Sequence, residues 1–276
     1  MRLAYGSLLL VSLSFLFTVI SSPARSEEAI HRNVPYRALL ELPVSGADAS
    51  FHYGDDPLQV IYQYGELSQT DTAVVFIHGG CWLNAYDISH SEGWMTHLAK
   101  AGMTVFGVEY RRTGDNGGGW PGSRDDIIAA LNKLHEHFTV TTFPKHVVVA
   151  GHSAGGHLAL LASESARLEA DNIIGLAAIT DIAGYAQGTN SCQQATPAFM
   201  GGQPSEIPEA YREAQPVINR MEGKVVLMQG TADAIVPVSH ASLEQSAQVV
   251  VEDAGHFDWL YPGSTAFNEF LKQVKP

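Results

Sequence analysis

Charge is scarce in this chain. Charged residues make up 16% of its 276 positions against 45% hydrophobic ones, which excludes the low-hydropathy, highly charged composition of a disordered protein. Bases are the scarcer sign: 16 Lys and Arg face 29 Asp and Glu, for a formal charge of −13. A net acidic chain repels phosphate backbones, so nucleic acid is not an expected partner. No extended run of like charge marks an interaction tail. No internal repeat or low-complexity linker follows residue 26. Cysteine is nearly missing: Cys81 and Cys192 stand alone, with no Cys-x-x-Cys pair for zinc or redox chemistry. Two cysteines permit one disulfide in an oxidising compartment without demanding it, the alternative being two buried thiols.

Long apolar runs are also missing, apart from one. Leu8 to Ile20 is apolar but for small hydroxyl residues, follows Arg2, and precedes Ala24-Arg25-Ser26. This pattern predicts a signal peptide over residues 1–26, cleaved after Ser26. The run is short for a retained membrane anchor, which needs roughly 20 apolar residues. The expected location is therefore secreted or periplasmic, with residues 27–276 forming one domain and no stable membrane anchor after cleavage.

What is present is alternation. Strands are expected over 58–64, 73–77, 104–110, 146–150, 173–179, 224–229 and 248–251. Between them, helical spacing is read over 94–101, 121–138, 155–168 and 239–247, with a closing helix over 265–274. Residues 192–221 show little periodicity and several prolines, and 184–221 is expected to form a small cap or lid. Strands spaced by helices predict an α/β fold with a mostly parallel central sheet covered on both faces. Ligands bind such sheets beyond the carboxyl ends of the strands, and the chemically loaded motifs all fall there.

Gly151-His152-Ser153-Ala154-Gly155 lies between a strand and a helix, the context of a Gly-x-Ser-x-Gly nucleophile turn. A sharp strand-to-helix bend exposes the serine oxygen, and the helix aims its first amides at developing negative charge. His78-Gly79-Gly80-Cys81-Trp82 follows another strand and offers a glycine loop whose amides complete an oxyanion hole. Gly80 or Cys81, together with Ala154, are the expected donors. Asp233 and His256 follow the last two strands, in the chain order serine, acid, histidine. His256 is the expected base for Ser153, and Asp233 the group that orients its ring. Glu252, Asp253, Asp258 and Asp181 are rival acids. Trp82, Trp120, His152 and Phe257 are candidate substrate-binding walls, and Phe199, Met200 and Tyr211 candidate lid residues. Trp82 is also a candidate for simple packing of the loop. His78, His152 and His157 stand near the site without a familiar ligand spacing, so neither a metal nor a cofactor is expected.

On these residues the sequence resembles the α/β-hydrolase superfamily, and more narrowly its esterase and lipase-like branch with a His-Gly-Gly-x-Trp loop. Feruloyl and acetyl-xylan esterases, arylformamidases and small carboxylesterases share that loop. The matching stretches are His78 to Trp82, Gly151 to Gly156, Gly230 to Asp233, and Gly255-His256. Tyr110-Arg111-Arg112 and Gly117 to Gly122 are also similar to bacterial members. The resemblance spans roughly Leu58 to the C-terminus and implies hydrolysis of small-molecule carboxylic esters through an acyl-enzyme, without cofactor. One departure is Cys81, where many lipase-branch members carry a third glycine. The alternatives are a peptidase or amidase on the same residues, including an arylformamidase, and a non-catalytic protein that keeps the fold. Oligomeric state is not legible.

Overall fold

The computed structural model describes Met1 and residues 32–275. The predicted signal segment lies outside the described residues. Eight strands form one sheet: β1 (Ala49–His52), β2 (Val60–Tyr64), β3 (Thr72–Ile77), β4 (Thr104–Val108), β5 (His146–His152), β6 (Asn172–Leu176), β7 (Lys224–Gly230) and β8 (Ala247–Val251). Their spatial order is β1-β2-β4-β3-β5-β6-β7-β8. β1 and β2 pair antiparallel, as do β2 and β4, and every later pairing is parallel. This is the α/β-hydrolase fold. The helices are α1 (Tyr36–Leu40), α2 (Glu92–Lys100), α3 (Gly122–Val140), α4 (Ala154–Ser163), α5 (Ile182–Tyr185), α6 (Ser191–Met200), α7 (Pro208–Glu213) and α8 (Thr265–Gln273).

The parallel strands bury both faces, and their side chains alternate between two apolar layers. Ala73, Val75 and Ile77 of β3 face Ile127, Leu131 and Leu134 of α3 and Leu158 of α4. Val74 and Phe76 face Trp94, Met95 and Leu98 of α2 and Phe267 and Phe270 of α8. The strand order reverses direction between β3 and β5. Crossovers leave to opposite faces there, so a crevice opens at the carboxyl ends of these two strands. Those ends carry His78–Trp82 and His152–Ser153.

Three expectations need correction. Residues 239–247 are not a helix: a 3-10 turn covers Val238–Ala241, and Gln245 adopts a left-handed φ of 70°. The segment has no apolar stripe long enough to bury as a helix face. His240 pins it instead, accepting the Thr180 N–H on Nδ1 at 3.0 Å. The stretch 192–221 is not irregular throughout, since α6 and α7 occupy much of it. Asn190 starts α6 with a capping box shared with Gln193, and Pro208 opens α7 from its first turn. β1 and α1 were not anticipated from the sequence. β1 is an exposed edge strand without a buried alternating face.

Candidate active site

Ser153 sits between β5 and α4 with φ 56° and ψ −122°. A non-glycine residue there is strained, and the packing around it must hold it. Gly155 shows why: a Cβ at that position would lie 2.2 Å from the His78 carbonyl oxygen. The elbow is thereby pressed against the loop after β3. Ser153 caps α4, so the N–H of Ala154, the first helical residue, has no acceptor within the helix.

Across the crevice, Gly80 has φ +114°, and Cys81 and Trp82 have φ values of 54° and 57°. Two successive non-glycine residues in the left-handed region need anchors. Trp82 supplies one, being fully buried with its ring stacked on Phe199 at 4.6 Å. Cys81 supplies the other through a disulfide to Cys192 at the start of α6. Of the two cysteine states open from sequence, the structure has the bridge. Among the described residues, neither Gly80 nor Cys81 donates its N–H to a backbone carbonyl. These amides and that of Ala154 are the donors the sequence pointed to.

The loop is supported from beneath by buried charge. The two ring nitrogens of His78 meet a Glu109 carboxylate oxygen at 3.1 Å and the Gly79 carbonyl at 2.7 Å. Arg112 reaches the same Glu109 oxygen at 2.9 Å, and the Ile88 N–H donates to the other oxygen. Burial alone would raise the Glu109 carboxyl, but His78 and Arg112 hold it below its ordinary value. Sequence reasoning placed His78 and Arg112 in motifs and missed Glu109, whose partners lie 31 and 3 residues away.

Asp233 and His256 meet. The Nδ1 of His256 donates to Asp233 Oδ2 at 2.8 Å, and the Asp233 side chain is fully buried. Gln229 Nε2 also donates to Oδ2, while the N–H groups of Ile235 and Val236 donate to Oδ1. Four donors suit an ionised carboxylate. They fix the His256 tautomer and leave Nε2 as the unprotonated nitrogen. Of the rival acids, Asp258 holds backbone N–H groups, Asp181 caps α5, and Asp253 pairs with Arg32 at the surface.

Ser153 and His256 line one cavity of about 240 Å³ together with Gly80, Cys81, His152, Phe257, Tyr36, Tyr86, His90, Ser191, Cys192 and Ile235. Of the four candidate walls, His152 and Phe257 line this cavity. Trp82 and Trp120 do not. Trp82 faces away into the core, and Trp120 packs near Phe199 under the Arg124 guanidinium, 4.6 Å from its ring. Phe199, Met200 and Tyr211 are buried in the core instead of lining the cavity. Tyr36, Tyr86 and His90 were missed, because no local pattern signals which aromatic rings converge from distant segments.

His152 Nε2 donates to the His256 carbonyl at 2.9 Å, and the two rings lie 4.6 Å apart. Burial, then the neighbouring His256, push the His152 imidazole well below its usual range. His152 therefore stays neutral and does not compete for the proton His256 must carry. Burial likewise lowers His90 and His157 to about 4. All three bind a proton more readily when unfolded. Stability from this source is full above pH 6.5 and is lost as pH falls toward 4, with a slope of up to about 1.4 kcal/mol per pH unit for each histidine. Urea unfolding between pH 7 and 4.5 should show the decline, with proton uptake on unfolding. A flat profile would mean these rings are accessible to protons in the folded state.

With this geometry in hand, comparison with known proteins is direct. Residues 60–247 match the BD-FAE family. The chain belongs to the BD-FAE family. The match ends before His256, so the histidine is placed by the structure and not by the BD-FAE match. Over 259 residues the chain is 24% identical to Esterase LipC of Mycobacterium tuberculosis, covering 80% of this chain and 64% of that protein. It is 29% identical over 108 residues to the Kynurenine formamidase of Meyerozyma guilliermondii, covering 39% of each. This BD-FAE chain thus spans less than two thirds of the length of the curated relatives it matches. Among solved structures, Esterase B from Lactobacillus rhamnosis superposes with a TM-score of 0.66 at 20% identity, covering 87% of this chain and 89% of the other. The Est2 esterase of Thermogutta terrifontis gives 0.61 at 19%, covering 83% and 90%.

Proposed function

We propose that this protein is a serine hydrolase of small carboxylic esters that works through an acyl-enzyme. The reading rests on one arrangement: an imidazole oriented by a buried carboxylate shares a cavity with a serine on a strained strand-to-helix turn. As the Ser153 oxygen bonds to the ester carbon, its proton passes to His256 Nε2. The carbonyl oxygen becomes an oxyanion, held by the amides of Ala154 and of Gly80 or Cys81. His256 then returns the proton to the departing alcohol, and water repeats the sequence on the acyl group. Asp233 keeps the imidazolium in place throughout. The esterase names of the mycobacterial relative and of the structural neighbours support this chemistry, and the cavity volume suits a small ester.

The formamidase relative favours a second reading, attack on an amide by the same residues. A fluorophosphonate probe followed by peptide mass spectrometry, with p-nitrophenyl acetate and a p-nitroanilide as substrates, separates the cases. Labelling at Ser153 with ester turnover alone supports the esterase, and comparable anilide turnover the amidase. No labelling and no turnover would make the chain a non-catalytic member of the fold. We also propose that it is exported, on the strength of Arg2, the Leu8–Ile20 run and Ala24-Arg25-Ser26. Sequencing the N-terminus of protein recovered outside the cytoplasm should begin at Glu27. An intact Met1 there would overturn cleavage.

A further inference from the structure

Residues 32–40 reach the site from outside the stretch that matches the family. Two backbone N–H groups of this arm, Asn33 and Val34, donate to the Asp258 carboxylate at 2.8 and 2.5 Å. The Gly255 N–H donates to the same carboxylate at 3.1 Å. Asp258 is buried, so one side chain ties the arm to the loop that carries His256. The contact is close enough that a Cβ on Gly255 would lie 2.4 Å from Asn33 Oδ1. Val34 and Leu39 are buried on either side of Tyr36. The arm is therefore seated at three points around a tyrosine that lines the cavity.

The Tyr36 ring stands at the meeting of three others. Its centroid is 5.4 Å from Phe257, 6.0 Å from Tyr86 and 5.8 Å from His90. Phe257 continues the wall to His256, 5.0 Å away, and Tyr86 packs on Gly80 of the opposite loop. His152 adds a further ring 6.1 Å from Phe257, while Ser191, the Cys81–Cys192 bridge and Ile235 make a wall of another kind. Rings at these separations touch one another and form one continuous aromatic surface, whose edges and faces are open to a flat group lying against it from the cavity.

We propose that Tyr36 is a specificity-determining residue, whose ring joins Tyr86 and Phe257 to form a subsite for a flat aryl group of the ester. The inference rests on the hydrolase reading above. The test uses four esters and compares each variant with wild type on each, so that intrinsic reactivity cancels. Benzyl acetate and ethyl 3-phenylpropanoate carry a ring on the alcohol or acyl side, and butyl acetate and ethyl butyrate are their alkyl counterparts. For Tyr36→Ala, the aryl-to-alkyl ratio of kcat/KM should fall about ten-fold on one of the two sides, through a rise in KM for the aryl ester. Tyr36→Phe should keep the wild-type ratio, because the ring and not the hydroxyl makes the contact. An unchanged ratio on both sides in Tyr36→Ala overturns the proposal, as does an equal loss on all four esters. Failure of the wild type to react with the fluorophosphonate probe at Ser153, with no ester turned over, sinks the hydrolase reading itself. A labelled, active enzyme indifferent to Tyr36 sinks only the subsite.

Discussion

Ser153→Ala lowers kcat for p-nitrophenyl acetate by about five to six orders of magnitude while the folded state stays as stable as wild type. The loss is large because the serine, the histidine and the carboxylate act as a unit. His152, the adjacent ring, is neutral and committed to the His256 carbonyl. Stability is retained because the strained φ of 56° is imposed by contacts such as Gly155 against the His78 carbonyl. Alanine keeps the Cβ and meets the same contacts. In the same assay Asp233→Asn should cost about 10⁴-fold, less than the serine, since oxyanion donors and binding remain. The amide also has N–H donors to set against the four donors that now converge on the carboxylate. Wild-type turnover in Ser153→Ala would remove the nucleophile assignment. Wild-type turnover in Asp233→Asn would reopen the choice of acid.

The disulfide should matter nearly as much, for stability. Cys81 and Cys192 close a loop of 111 residues. In the chain-entropy account such a loop restricts the unfolded chain by about 4–5 kcal/mol. The bridge also joins the loop carrying Gly80 to the first turn of α6, so its loss frees Cys81 from one of the two anchors that hold its left-handed backbone. The double variant Cys81→Ala with Cys192→Ala should therefore lose several kcal/mol in urea unfolding. Its kcat should fall too, as the amides beside Gly80 lose their fixed aim. Unfolding and kinetics identical to the oxidised wild type would show that packing of Trp82 on Phe199 suffices to hold the loop.

The two variants probe parts of the site that differed in legibility. The elbow, the glycine loop and the acid–base pair were readable because each is a local motif at a strand end, and chain order restricts how they combine. The strands of the parallel sheet were readable because burial on both faces makes them continuous apolar runs. Asp233 was set apart from Glu252 and Asp253 by its strand end but not from Asp258, and the structure places the Asp233 carboxylate 2.8 Å from His256 while Asp258 holds backbone N–H groups. The cavity walls were less accessible. From the sequence Trp82 was open between a wall and a residue that packs the loop, and the structure has it fully buried and stacked on Phe199. The segment 239–247 looked helical from composition, while a buried His240 holding the Thr180 amide leaves it a turn.

By itself the sequence determined the alternation of the central strands with the helices α2, α3, α4 and α8, the strand ends that bear the reactive residues, and the serine–acid–histidine succession. These are local or ordinal properties, encoded in hydrophobic period, glycine placement and sequence position. Only the tertiary structure decided that Cys81 joins Cys192, that Glu109 and Arg112 brace His78, and that Tyr36 walls the cavity through a clamp on Asp258. Each of these depends on contacts between residues far apart in the chain, or on the direction in which one side chain points. Neither property leaves a period or a spacing that could be read in advance.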